Sequence, residues 1–214
     1  MPNLLHLDSS ADLATSRSRA VTEAFANAWR ARGEDHAVTY RDLHSTPLPH
    51  LADSELHWAP RLRAASSTPP AAAEALQQQL LDELSAADVL LVGAPMYNYS
   101  LPSSLKAWID HVHVLGTTAS FEAPAQPLAG RPAVVVTSQG MAYDEASPTA
   151  GQDHATPVLE QILGKALGMS VTVLISSYTV AHRIPGMQAR AEQGEAQLQE
   201  ALLRARTLGS TITA

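Results

Sequence analysis

The chain is expected to fold as one α/β domain, a doubly wound five-stranded parallel sheet with helices on both faces. Three observations predict it. Five short apolar runs recur along the 214 residues and alternate with helical patterns. The runs are apolar throughout instead of alternating with polar residues, as strands buried on both faces must be. No internal repeat or linker interrupts the series, so residues 1–214 are read as a single domain.

Asn3–Leu7 (NLLHL) reads as the buried first strand. Asp8–Ser18 (DSSADLATSRS) is a hydroxyl-rich loop. A helix follows from about Arg19 to Arg32, with Ala20, Val21, Ala24, Phe25, Ala28 and Trp29 as its apolar stripe. Gly33 ends it, and His36–Tyr40 (HAVTY) is the second strand. Thr46–Pro70, with five prolines, is an excursion over the surface. Ala71–Ser85 is an Ala/Gln/Leu-rich helix and Asp88–Gly93 the third strand. After the loop PMYNYSLP a helix runs from about Ser103 to Leu115. Pro132–Thr137 (PAVVVT) is the fourth strand and Ser138–Asp153 a long loop. A helix over about Pro157–Leu167, the fifth strand Val171–Ser176 (VTVLIS) and a last helix over about Met187–Leu208 complete the chain.

Fourteen basic against twenty-one acidic side chains give a net charge of -7. A nucleic-acid partner needs a basic face, so none is expected. Cysteine is absent, which excludes disulfides, thiolate catalysis and Cys-based metal sites. The opening MPNLLHLDSS lacks the pattern of a secretory signal, and no apolar run approaches the roughly twenty residues that span a bilayer. A soluble cytoplasmic protein without a membrane partner is expected.

Open parallel sheets bind ligands beyond the carboxyl ends of their strands, where strand order reverses. Three loops at those ends carry unusual chemistry. In the first, TSRSRA leads straight into a helix, whose N-terminus presents unpaired N–H groups and a partial positive charge. Ser10, Thr15, Ser16 and Ser18 add hydroxyls and Arg17 a fixed charge, a set that suits a terminal phosphate. Ser16 or Ser18 equally suits a plain helix cap. The second loop concentrates Met96, Tyr97, Asn98 and Tyr99 behind Pro95, in a chain with only three Trp, five Tyr and two Phe. Polarizable side chains and a run of amides suit the face and edge of a planar heteroaromatic ring, though Pro95 and Pro102 also suit an ordinary structural loop. The third, SQGMAYD, carries Gly140, where backbone can approach a ligand or simply turn. Neither GxGxxG nor GxxxxGK[ST] is present, which argues against the usual modes of dinucleotide and nucleoside triphosphate binding. One elongated ligand with a phosphate and a flat ring would use all three loops, and flavin mononucleotide (FMN) has those parts.

The stretch PMYNYSLPSSLKAWID closely resembles the flavin-ring loop and following helix of the FMN-dependent NAD(P)H azoreductases, relatives of the flavodoxin-like quinone reductases. The likeness extends to SRS at the first helix, to LAGRPAVVVTSQG and to the final strand and helix, nearly the whole chain. It implies a flavodoxin-like fold and non-covalent FMN. NADH or NADPH is then the electron donor in a ping-pong, two-electron reduction of quinones, azo compounds or related conjugated aromatic acceptors. It implies Ser10, Ser16, Arg17 and Ser18 at the phosphate. Pro95, Met96, Tyr97, Asn98 and Tyr99 would line the ring, with the Asn98 N–H toward flavin N5, and Ser138, Gln139, Gly140 and Met141 its pyrimidine edge. Asn98 and Tyr143 are the candidate catalytic residues, Tyr143 as a proton source alongside solvent. A homodimer is implied, each pocket completed by the other chain. The stripe Leu105, Trp108, Ile109 and Val112 offers either the contact or a face for its own sheet.

Departures from the family pattern fall around the substrate. SQGM stands where SRGG is usual, Ala119 where an aromatic is common, and Lys165–Ala166 where a phenylalanine walls the partner's pocket. Tyr99, Ala119, Phe121 and Lys165 are therefore the candidate substrate-pocket residues, and the space above the flavin is expected to be wide. Two further readings stand beside the first: a tailoring reductase dedicated to one bulky substrate in a specialised pathway, and a flavodoxin-type electron carrier. His111 and His113, two apart on a helix, point in different directions, and His50, Glu55 and His57 lack ligand spacing, so no metal is expected. A hydrolase is disfavoured because no G-x-S-x-G elbow occurs.

Overall fold

A computed structural model describes residues 1–121 and 126–213. Its strands are β1 (Asn3–Asp8), β2 (Ala37–Asp42), β3 (Val89–Gly93), β4 (Pro132–Ser138) and β5 (Ser170–Ser176). They pair in the order β2-β1-β3-β4-β5, all parallel. The chain steps one way from β1 to β2 and the other way from β3 onward. The carboxyl ends of β1 and β3 therefore flank the point where a crevice opens. Gly93 pairs with Asp8 at that point, and a Cβ there would collide with the Asp8 carboxylate.

Five helical elements cover the sheet: α1 (Arg17–Arg30), α2 (Ala71–Ala86), α3 (Ser103–Val112), α4 (Thr156–Leu159, continued in a wider π-helical turn by Glu160–Ala166) and α5 (Ala191–Thr211). Successive strand residues point to opposite faces. Leu4 thus meets Val21, Phe25 and Trp29 of α1 with Ala201 and Ala205 of α5. Leu5 and Leu7 meet Leu80 and Leu84 of α2 and Leu105, Trp108 and Val112 of α3. Burying each such side chain stabilises the fold by roughly 1.5–3 kcal/mol. The α3 stripe is spent here: Leu105, Trp108, Ile109 and Val112 all pack on their own sheet, so they do not form an outward contact.

The elements differ from expectation mainly at their ends. The first helix starts at Arg17, earlier than its apolar stripe, because Ser16 accepts the Arg19 N–H at 3.3 Å. The last begins at Ala191, after a tight turn at Gln188–Arg190, and runs on to Thr211. The proline-rich excursion contains two short turns, Ser54–His57 and Pro60–Leu62, and is pinned down by Gln77, whose amide donates to Leu56 O at 2.8 Å and His111 O at 3.0 Å. Among the described residues, no helix is long and apolar enough to cross a membrane.

Candidate active site

Beyond β1 the chain is held tightly to β3. The Ser9 N–H and hydroxyl both donate to Gly93 O, at 3.1 and 2.6 Å. Asp12 then closes a turn, accepting from the Ala14 and Thr15 N–H groups and the Thr15 hydroxyl at 2.9, 2.8 and 2.6 Å. Those bonds, the Thr15 hydroxyl first, hold its carboxyl below the usual range. Ser16 caps α1 while its hydroxyl lies 3.1 Å from that of Ser18. The N–H groups of Arg17 and Ser18, in the first turn, have no intrahelical acceptor, and no acidic residue occupies that turn.

Behind this loop stands a charged wall. The Nε and Nη2 of Arg19 donate to Ser10 O at 3.2 and 2.7 Å, and its two Nη atoms to the Asp42 carboxylate, each at 2.9 Å. Burial pushes the Asp42 carboxyl up, but bonds from Arg19, Ser45 and His44 outweigh it and hold the group well below the usual carboxylate range. Buried Asp8 accepts from the Thr22 hydroxyl at 2.9 Å and the Tyr40 hydroxyl at 3.2 Å. Burial, then the charges of Asp8 and Asp42, pushes the Tyr40 phenol up to about 12.

The loop after β3 forms a two-residue hairpin turn. Tyr97 and Ser100 exchange both backbone bonds, at 2.9 and 3.0 Å, and the residues between them, Asn98 and Tyr99, have φ of 49° and 67°. Positive φ at both central positions is the type I′ geometry. Among the described residues, no acceptor meets the N–H of Asn98 or Tyr99. The Tyr97 hydroxyl accepts the Ala11 N–H at 2.9 Å and lies 3.3 Å from Ser10 Oγ, tying this turn to the first loop. Met96 donates its N–H to Ser138 O at 2.9 Å, tying it to the third. Tyr99 accepts the His154 N–H at 2.9 Å and meets the Tyr143 ring edge-on, centroids 6.4 Å apart. Burial, then the charges of Tyr99 and Asp153, raises the Tyr143 phenol, so it stays a hydrogen-bond donor at neutral pH.

In the third loop the Gln139 amide donates to Asp153 Oδ2 at 2.8 Å, while Asp153 Oδ1 accepts the N–H groups of Ala155 and Thr156 at the start of α4. The Gln139 side chain, with Tyr143, borders a second cavity of about 370 Å³ between β5 and α5. A Cβ at Gly140 would make only an ordinary 3.4 Å contact with Val180, so neither space nor a positive φ demands glycine there. Met141 is half-buried.

A cavity of about 510 Å³ opens at the carboxyl edge and joins Ser10, Thr15, Ser16 and Arg17 to Pro95, Tyr97 and Ser138. Its size is ordinary for a small-molecule site. The loop after β5 adds Thr179, Val180, His182 and Arg183. Sequence reasoning missed those four, although TVAHRIPG follows a strand ending at the same edge. Arg17 borders the cavity but turns Nη1 to Gly194 O at 2.7 Å and Ser177 O at 3.2 Å. None of the four named pocket residues lines this cavity: Tyr99 stands on the turn beside it, and the other three lie farther off. Ala119 is 2% exposed in the core under α3, because Gly116 N–H bonds Ala119 O at 2.8 Å and folds it inward. Phe121 is 54% exposed and meets Trp58 edge-on at 5.0 Å. Lys165 is exposed near the amino end of β5, where its carbonyl accepts the Gln126 amide at 2.9 Å.

Hydroxyls, unpaired helix N–H groups and cations at one end, with tyrosine rings and unpaired N–H groups at the other, fit the phosphate and ring of FMN. Among the described residues, no cluster suits a metal ion.

Residues 2–207 match the profile of a family described by its flavodoxin-like fold. The chain is 58% identical over 212 residues to an FMN-dependent NADH:quinone oxidoreductase of Kineococcus radiotolerans, covering 99% of this chain and 100% of that one. An enzyme of the same description from Streptomyces coelicolor is 40% identical over 100% of this chain and 98% of its own. Among solved structures, an azoreductase from Bacillus anthracis superposes with a TM-score of 0.81 at 19% identity, covering 99% and 100% of the two chains. An FMN-dependent NADH-azoreductase of that organism, in complex with FMN, superposes with 0.77 at 15% identity, covering 97% and 98%. These last two likenesses speak to the fold.

Proposed function

Because the chain belongs to the flavodoxin-like family of FMN-dependent NAD(P)H azoreductases and quinone reductases, we propose that it is an FMN-dependent NADH:quinone oxidoreductase acting by a ping-pong, two-electron mechanism. The observation that carries this is end-to-end likeness to quinone oxidoreductases in a chain where a cavity joins a hydroxyl-rich helix start to an aromatic turn. Bound FMN would supply the redox chemistry, hydride acceptance from a nicotinamide and two-electron donation to a quinone, azo compound or related acceptor.

The residues of this chain bind and orient. The Ser16 and Ser18 hydroxyls and the first-turn N–H groups of α1 hold the phosphate, with Ser10 beside them. Pro95, Met96, Tyr97 and Tyr99 support the ring, and Ser138, Gln139, Gly140 and Met141 supply backbone at its edge. The Asn98 N–H, unpaired among the described residues, would serve the ring where negative charge develops on it. Tyr143 holds a proton beside Tyr99 for delivery to the reduced acceptor. Phe121 and Lys165 serve the partner's pocket in a homodimer, with exposed Phe121 and the half-buried Trp58 it packs on in the contact. The cytoplasm, which supplies NADH, is the compartment this reading requires. With Ala119 in the core, a widened pocket dedicated to one bulky substrate has no separate support.

Purified protein should take up FMN, show a flavin absorption band and oxidise NADH when a simple naphthoquinone is present. Protein that gains no bound flavin from added FMN would overturn the reading. Replacing Ser16 and Ser18 with alanine should weaken FMN binding by about tenfold or more, since each hydrogen bond to a charged acceptor contributes about 1.5–3 kcal/mol.

A further inference from the structure

We propose that His182 and Arg183, on the loop after β5, form a flap whose Arg183 cation, with the His182 ring beside it, pairs with the flavin phosphate and makes the site select FMN over riboflavin. The inference rests on the FMN reading of this cavity and adds residues which that reading leaves unused. A phosphate monoester carries between one and two negative charges at neutral pH. The start of α1 offers only about half a positive charge, and hydroxyls offer none.

Arg17 is the cation nearest in sequence, but it works on the protein. Its Nη1 donates to Gly194 O, Ser177 O and, at 3.4 Å, Ser176 Oγ. Those acceptors lie at the end of β5 and the start of α5, the two roots of the loop. Gly194 permits this approach, since a Cβ there would stand 3.2 Å from Arg17 Nη1. Tyr178, at φ 59°, turns the chain, and the Thr179 N–H donates to Gln139 O at 3.0 Å. Ala181 is fully buried, and the Arg183 N–H bonds Val180 O at 2.9 Å, closing a turn. His182 and Arg183 then emerge on the cavity side, opposite Thr15 and Ser16. Arg183 Nε donates to His182 Nε2 at 3.2 Å, so the imidazole accepts at that nitrogen and the two side chains lie together. Among the described residues no acceptor meets either Nη of Arg183, and its charge reaches the Asp12 carboxylate across the same cavity. Arg17 thus positions the flap, Arg183 supplies the charge, and His182 stands beside it.

Dissociation constants for FMN and riboflavin, read from flavin fluorescence, should be compared in the full chain, in the His182→Ala/Arg183→Ala variant and in Arg183→Lys. The double variant should bind FMN about tenfold or more weakly and riboflavin unchanged, and its FMN affinity should depend less on salt. Arg183→Lys should recover much of the loss. Unchanged FMN affinity would overturn the proposal. So would equal weakening for both flavins, which would mean that the loop has merely come loose. Intact FMN affinity with a raised KM for NADH would also overturn it, by assigning the cations to the dinucleotide. A wild-type protein that binds neither flavin would instead overturn the FMN reading itself.

Discussion

Tyr99 sits in backbone that an aromatic side chain rarely adopts, at φ 67° next to Asn98 at 49°. Left-handed geometry costs an L-residue about 1–2 kcal/mol, and short polar Asn escapes most of that where Tyr does not. A type I′ turn would ordinarily carry Asn-Gly, so the ring is kept at a cost to stability. Tyr99→Gly should relieve the strain but adds chain entropy to the unfolded state, a net gain of about 0.5–1 kcal/mol. The apoprotein should melt about 1–3 °C higher while FMN binding weakens. A lower melting temperature would mean that contact with Tyr143 outweighs the strain. Tyr97 has a different task. Tyr97→Phe removes the hydroxyl that accepts the Ala11 N–H, and FMN affinity should fall by severalfold as the two loops uncouple, each neutral bond contributing about 0.5–1.5 kcal/mol. Sequence alone marks both tyrosines as ring supports. It does not show that one is strained and the other a tie, because both depend on φ angles and partners distant in the chain.

Between elements, Arg19 joins β2, α1 and the loop after β1 by binding Asp42 and Ser10 O together. Asp42 has a folded pKa below its unfolded value of about 3.9. Its stabilising contribution is therefore complete above that value and is lost as pH falls through it toward the folded one. Asp42→Asn should be less stable than wild type at pH 7 and should lose less stability between about pH 5 and 3. Urea midpoints at pH 7, 5, 4 and 3 would show it, and parallel pH curves for the two proteins would refute the linkage. The elements themselves were legible because their apolar patterns are local: all five strands and the main helices lie where periodicity puts them. What escaped was set by tertiary contact. Ala119 folds under α3, the α3 stripe chose its own sheet, and Arg17 reached for the root of α5. The loop after β5, which opens Ser177-Tyr178-Thr179, escaped for another reason: no run within it repeats the patterns that mark the other loops, and the sheet order reveals that it shares their edge.

At the scale of the whole molecule, a single chain leaves the ring end of its cavity open. Tyr97, on its wall, is 36% exposed and Tyr99, on the same turn, 53%, and none of the four residues expected around the substrate (Tyr99, Ala119, Phe121 and Lys165) lines the cavity of its own chain. Phe121 instead stands on the surface with Trp58, an apolar pair that water solvates poorly, at about 25 cal/mol per Å² left exposed. A two-fold contact over this pair would cover it on both chains at once. Phe121→Glu should then bury a carboxylate in the contact, and the desolvation penalty should shift the protein from dimer to monomer at micromolar concentration. Light scattering would report the mass, and circular dichroism would confirm that the variant stays folded. If the partner chain completes the substrate pocket, kcat/KM for a quinone should drop on dissociation and recover as protein concentration rises. FMN affinity should stay within about twofold, because the phosphate end is built from one chain and lies apart from the substitution. A variant that remains dimeric would remove Trp58–Phe121 from the contact. A wild-type monomer with full turnover would remove the dimer altogether.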